Sequence, residues 1–111
     1  MIRLAIVACL LATPLLAAQS KEESCGYQAQ VISAIQKARL DRVKKEDVAA
    51  TIAASGPSWP DNYNAAIPQL TEFVYDQKRR DLKKTDLGAN LRQQCLDNWD
   101  QIQAMQKQLK N

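Results

Sequence analysis

The side chains of this 111-residue chain that could make or break a bond are few, and Cys9, Cys25 and Cys95 lead them. The chain has no histidine, so the commonest general base at neutral pH is missing. A thiolate would be the best remaining nucleophile, but Cys9 falls in a stretch that reads as a removable leader. Cys25 and Cys95 are then left as a pair with one connectivity. Carboxylates come next. Asp97 and Asp100 stand three apart on a helical pattern, and Asp41 and Asp47 flank a charged turn. Neither set matches a calcium loop, with its alternating oxygen ligands and fixed glycine, and both read as solvated surface. The expectation is therefore a non-enzymatic protein, with no catalytic, cofactor-binding or metal-ligating residue assigned. An enzyme using carboxylates alone would need two of them, with displaced pKa values, paired in a cleft.

The leader reading rests on Met1-Ile2-Arg3 as a short positive start, an apolar run from Leu4 to Leu11, and Pro14 followed by small residues. Cleavage after Ala18 leaves Leu16 at the −3 position; cleavage after Ser20 leaves Ala18 there. Both stay open. Residues 1–20 are thus expected to be a signal peptide and 21–111 a single helical domain. The apolar run is too short to span a bilayer comfortably, and Pro14 weakens it further. Ile6-Val7-Ala8-Cys9 loosely resembles a lipoprotein box. Only eight residues precede the cysteine, however, so Cys9 reads as apolar filler.

Export to the periplasm or the medium would oxidise Cys25 and Cys95 to a disulfide. Closing a loop of about 70 residues is worth roughly 4 kcal/mol in the chain-entropy model. For a core of about 90 residues that is a large share of the stability. The net charge is +3, and loss of Arg3 leaves 14 basic residues against 12 acidic. That balance argues against nucleic acid, or a membrane surface after leader removal, as a partner. No Asn-x-Ser/Thr acceptor occurs.

The elements that must position these residues are helical. Leu87, Leu91, Cys95, Ile102, Met105 and Leu109 fall within a stripe about 80° wide, which predicts one last helix from Thr85 to Lys107 with Thr85 or Asp86 as its cap. A first helix is expected over Cys25–Leu40, capped by Ser24, with Val31, Ile32, Ile35 and Ala38 inward and Gln36 on the polar remainder. A short second helix, Glu46–Ala54, turns Val48, Ala49, Ile52 and Ala53 inward and stops at Gly56-Pro57. The proline-rich stretch 57–68 is irregular. A third helix starts at Pro68 and runs to Arg80 or Leu82, with Leu70, Phe73, Val74 and Gln77 as its stripe. The expected fold class is all-α: a bundle of about four helices whose first and last members are joined by the disulfide.

Candidate partner-binding residues are Trp59 and Tyr63, aromatics on the proline-rich loop, and Leu96, which projects away from the last helix's stripe. The competing reading makes Trp59 and Tyr63 a lid over a thin core, and Trp99 a neighbour of the disulfide. Lys78, Arg79, Arg80, Lys83 and Lys84 form the densest charge cluster and read as a solvated helix end. The Gln-rich tail keeps Ile102, Met105 and Leu109 in phase, so the last helix either overhangs and meets a second copy or frays.

Cys25, Ile32-x-x-Ile35-x-x-Ala38-Arg39, Tyr63-x-x-Ala66-Ile67-Pro68 and Cys95-Leu96 together make a pattern. It resembles small exported single-disulfide helical proteins of bacteria, a group of unknown function. The resemblance implies staple cysteines, core aliphatics and turn prolines, and no functional residue. The chain is similar in class to periplasmic acid-stress chaperones, but Val74–Lys84 lacks the second cysteine those proteins would place there. The leading expectation is a protein-interaction, inhibitor or accessory module with a protein partner. The alternative is a chaperone that loosens in acid as its 12 carboxylates protonate.

Overall fold

The computed structural model describes residues 20–110; Cys9 and the expected leader lie outside the described residues. Ser20 opens the fold. Its hydroxyl accepts from the Glu23 amide (3.1 Å) while Glu23 Oε1 accepts from the Ser20 amide (3.2 Å), a reciprocal capping box. The first helix, α1 (Lys21–Leu40), therefore begins four residues before the expected start, and Ser20 rather than Ser24 is its cap. Val31, Ile32, Ile35 and Ala38 are buried as their spacing requires. At its other end Val43 N–H donates to Ala38 O (2.9 Å) and Arg42 N–H to Arg39 O (3.1 Å), a Schellman closure. Arg42 holds φ +68°, the left-handed position usually taken by glycine there.

A 3₁₀ turn, Lys45–Asp47, leads into α2 (Val48–Ala54), which buries Val48 and Ile52. Ala49 and Ala53, expected inward, are exposed, because they lie one step round the helix from that pair. Gly56 takes φ +67° beyond the helix end, as the Gly-Pro stop anticipated. The proline-rich stretch contains a second 3₁₀ segment, Asp61–Ala66, followed by α3 (Ile67–Tyr75) with Pro68 in its first turn.

Two expected helices are broken. The third ends at Tyr75 and resumes as α4 (Arg79–Leu82), with Lys78 extended between them. Gln77, outside the helix, presents its carbonyl to Arg39 Nη2 (3.0 Å), tying the break to α1. The last helix divides into α5 (Leu87–Asp97) and α6 (Trp99–Lys110). Asn98 sits at that break, where its Nδ2 donates to Gln94 O (2.9 Å), a carbonyl that also receives its backbone N–H. The side chains of Ile102 and Leu109 lie outside the described residues.

Among the described residues the architecture is an all-α bundle in which α1 packs most extensively on α5. Cys25 and Cys95 form the disulfide between these two helices, with Cα atoms 5.6 Å apart. The partner of α1 in that bond is thus α5, the penultimate helix. Gly88 permits the approach: a Cβ there would meet Ser33 Oγ and lie 3.1 Å from Ala29 O. A buried amide completes the joint. Gln36 Nε2 donates to Leu82 O (2.8 Å) and Thr85 O (2.7 Å), and its Oε1 accepts from Leu87 N–H (3.2 Å). Gln36, expected on the polar face, therefore fastens α1 to the end of α4 and caps the first amide of α5.

Candidate functional site

Among the described residues both cysteines, Cys25 and Cys95, are consumed by the disulfide, so neither offers a free thiol. Asp97 and Asp100 are exposed on either side of the Asn98 break. Asp41 pairs with Lys37 at 2.7 Å on the surface, one turn away on the same helix face. Among the described residues no three His, Cys, Asp or Glu side chains gather closely enough to hold a metal ion. Burial pushes the Tyr75 phenol above its ordinary pKa, although the Arg39 guanidinium 5.1 Å over the ring pulls the other way. That hydroxyl donates to Val43 O (2.7 Å) and so pins the turn after α1. Lys45 is held in its charged form chiefly by its hydrogen bond to Glu72, at 2.7 Å.

Trp59 is 8% exposed, and its indole N–H donates to Asn64 Oδ1 (2.7 Å), so the ring lies against the core with its polar edge satisfied. Tyr63 is half-buried, donates to Ser24 Oγ (3.0 Å), and stands 5.4 Å from the Tyr27 ring. These contacts fasten the 3₁₀ segment to the start of α1. Leu96 and Trp99 are half-buried on α5 and α6. The five cations from Lys78 to Lys84 do not end the third helix: Arg79 and Arg80 belong to α4, with Lys83 and Lys84 following it.

A different surface gathers apolar groups. Phe73, expected in the stripe of the third helix, is 53% exposed. The buried line of α3 is instead Ile67, Thr71 and Val74, at steps of four and three. Phe73 stands beside a depression of about 350 Å³ between α3 and α5, floored by Ile32 and Leu87 and walled by Leu70 and Leu91. A second depression of about 350 Å³ adjoins it across the same two leucines, reaching Val31, Ala65, Ala66 and Tyr63. Together they form one groove. Its polar lining is neutral: Asn90 and Gln94 at one end, Gln28 and Asn62 at the other. A larger hollow of about 400 Å³ lies between α2 and α3, but Lys45, Glu46 and Glu72 line it, which suits an apolar occupant poorly.

Sequence reasoning missed this groove because it assigned Phe73 to the core. The available signal was the sole phenylalanine of the chain, one step off the Ile67–Thr71–Val74 line.

No protein-family model, curated protein or solved structure matches the chain. The resemblance drawn from its motifs stands as a small all-helical protein with one disulfide, and no family is identified.

Proposed function

We propose that this protein is a non-enzymatic binding module of an oxidising compartment, periplasmic or extracellular, that receives the apolar face of a protein segment in the groove between α3 and α5. The observation that supports it is Phe73, 53% exposed beside an uncharged apolar groove on the disulfide-held α1–α5 pair. Exposed aromatics flanking a groove with a neutral polar rim are the usual anchors of protein interfaces. The groove's floor belongs to the core, so it is preformed and its occupant loses little to ordering of the receptor. The disulfide is consistent with an oxidising compartment, and among the described residues no helix is long and apolar enough to cross a membrane.

The test places a photo-crosslinking residue at Phe73 and, as a control, at Arg80, in cells that make the protein. A discrete adduct at neutral pH from position 73 alone is the expected result. Equal labelling from both positions would overturn the groove as the working surface. Adducts with many unrelated proteins only near pH 3 would replace this reading by the acid-chaperone one.

A further inference from the structure

Among the described residues nothing lies over the α3–α5 groove, and α6 exposes an apolar side chain. Met105 on α6 is 62% exposed, more than Phe73 itself. In the sequence Ile102 precedes it by three residues and Leu109 follows it by four, the spacing of an amphipathic helix face. The most extensive contact α6 makes within its chain is with α5. It cannot fold back to cover the groove beside α5, because Asn98 alone separates the two helices. An antiparallel helical hairpin needs a loop of about two to five residues. The amide of Asn98 is also still bonded in helical fashion to Gln94 O (3.0 Å).

We infer that α6 of one copy lies in the α3–α5 groove of a second copy, with the same contact returned, so that the protein is a twofold dimer by reciprocal helix exchange. This rests on the groove being the working surface and names its occupant. The neutral lining at Asn90 and Gln94 sets no like charge against the Asp100 and Lys107 that α6 carries. Size favours a closed pair over a chain of single contacts. A helix of 12 residues is about 18 Å long, and half its surface is roughly 280 Å² at a radius of about 5 Å. One helix-in-groove contact then buries roughly 560 Å² in total, within the range of incidental crystal contacts, whereas two bury roughly 1,100 Å², enough for a specific interface. Reciprocity also closes the assembly, as an isologous interface must.

The experiment is sedimentation equilibrium of the oxidised protein over a range of concentrations, with Phe73→Glu and Met105→Glu, followed by photo-crosslinking from position 73. Both substitutions are at exposed positions, and circular dichroism with an intact disulfide mass verifies folding. The expected result is a dimer whose Kd rises about tenfold or more in each variant, and a crosslink mapping to residues 99–110 of another copy. A dimer indifferent to both substitutions, or crosslinked elsewhere, overturns the inference. A monomer whose position 73 labels a different protein overturns it and leaves the binding-module reading standing. A monomer that labels nothing from position 73 defeats both.

Discussion

Replacing Gln36 should cost more than any surface substitution of similar size. Its side chain is 9% exposed and makes three hydrogen bonds to backbone groups of the α4–α5 corner: to Leu82 O at 2.8 Å, Thr85 O at 2.7 Å and from Leu87 N–H at 3.2 Å. Gln36→Met keeps the length and apolar stem but leaves two carbonyls and one amide without their partner. At about 1 kcal/mol for each lost bond, the loss is roughly 3 kcal/mol, a large part of the stability of a small domain. In a domain of this size that corresponds to a fall in Tm of about 10–20 °C. Gln36→Glu separates hydrogen bonding from packing. Ionised, the carboxylate would face the two carbonyls that now receive Nε2, so its folded pKa is raised above its unfolded value. The destabilisation is then largest above the folded pKa and recedes as pH falls and the proton restores one donor. The assay is chemical denaturation of wild type and both variants at pH 7 and pH 4. Gln36→Met within about 0.5 kcal/mol of wild type, or Gln36→Glu no less destabilised relative to wild type at pH 4 than at pH 7, would refute the reasoning.

Cys25→Ala with Cys95→Ala removes a crosslink spanning 70 residues and should lower stability by about 4 kcal/mol, read as a shift in denaturation midpoint without the constraint on the unfolded chain. Gly88→Val places a branched side chain against Ala29 O and Ser33 and should cost about 1–3 kcal/mol by parting α1 from α5; a stability equal to wild type would mean that the helices are less closely fitted. Arg42→Gly should stabilise by about 1 kcal/mol, because φ +68° at the Schellman position is strained for any residue with a Cβ, and thermal melts will show the sign. Tyr75 has a raised folded pKa, caused first by burial, so its contribution is complete below the unfolded value of about 10 and is lost as pH climbs beyond it. Tyr75→Phe should flatten that alkaline loss while costing about 1 kcal/mol at neutral pH through the missing bond to Val43 O, which a pH series of melts measures.

The parts of the fold that were legible are those decided by apolar spacing. Val31, Ile32, Ile35 and Ala38 name the inner face of α1, and Val48 with Ile52 that of α2, because burial of branched aliphatics leaves the helix no other orientation. The Cys25–Cys95 pairing was legible by arithmetic once Cys9 was set aside. What failed was decided by polar atoms. Gln36 lies one turn from Ile32, in phase with the core, yet its amide reads as surface until the three backbone partners of a distant corner are known. The break at Asn98 interrupts a stripe whose apolar residues continue in register, and periodicity carries no record of the side-chain bond from Asn98 Nδ2 to Gln94 O found there. The Ser20-x-x-Glu23 spacing is that of a capping box, and its two reciprocal bonds place the start of α1 ahead of Ser24.

Phe73 shows why the groove was harder to see than the core. A helix stripe assigned by hydrophobicity takes every large apolar residue inward, whereas α3 buries Thr71 and turns Phe73 out. Thr71 Oγ1 makes no hydrogen bond there, a buried polar group of the kind that costs stability. Rotating α3 to turn Phe73 inward would bring Ile67 and Val74 out, and a phenylalanine in the Thr71 position would overfill that site, so the packing of Ile67 and Val74 fixes which way Phe73 faces. Exposed beside Leu70 and Leu91, the phenylalanine extends the apolar surface on which the proposed binding role rests. Met105 on α6 is likewise an exposed apolar side chain. The proposed exchange would cover both side chains, whereas a different protein seated on Phe73 would cover only the first.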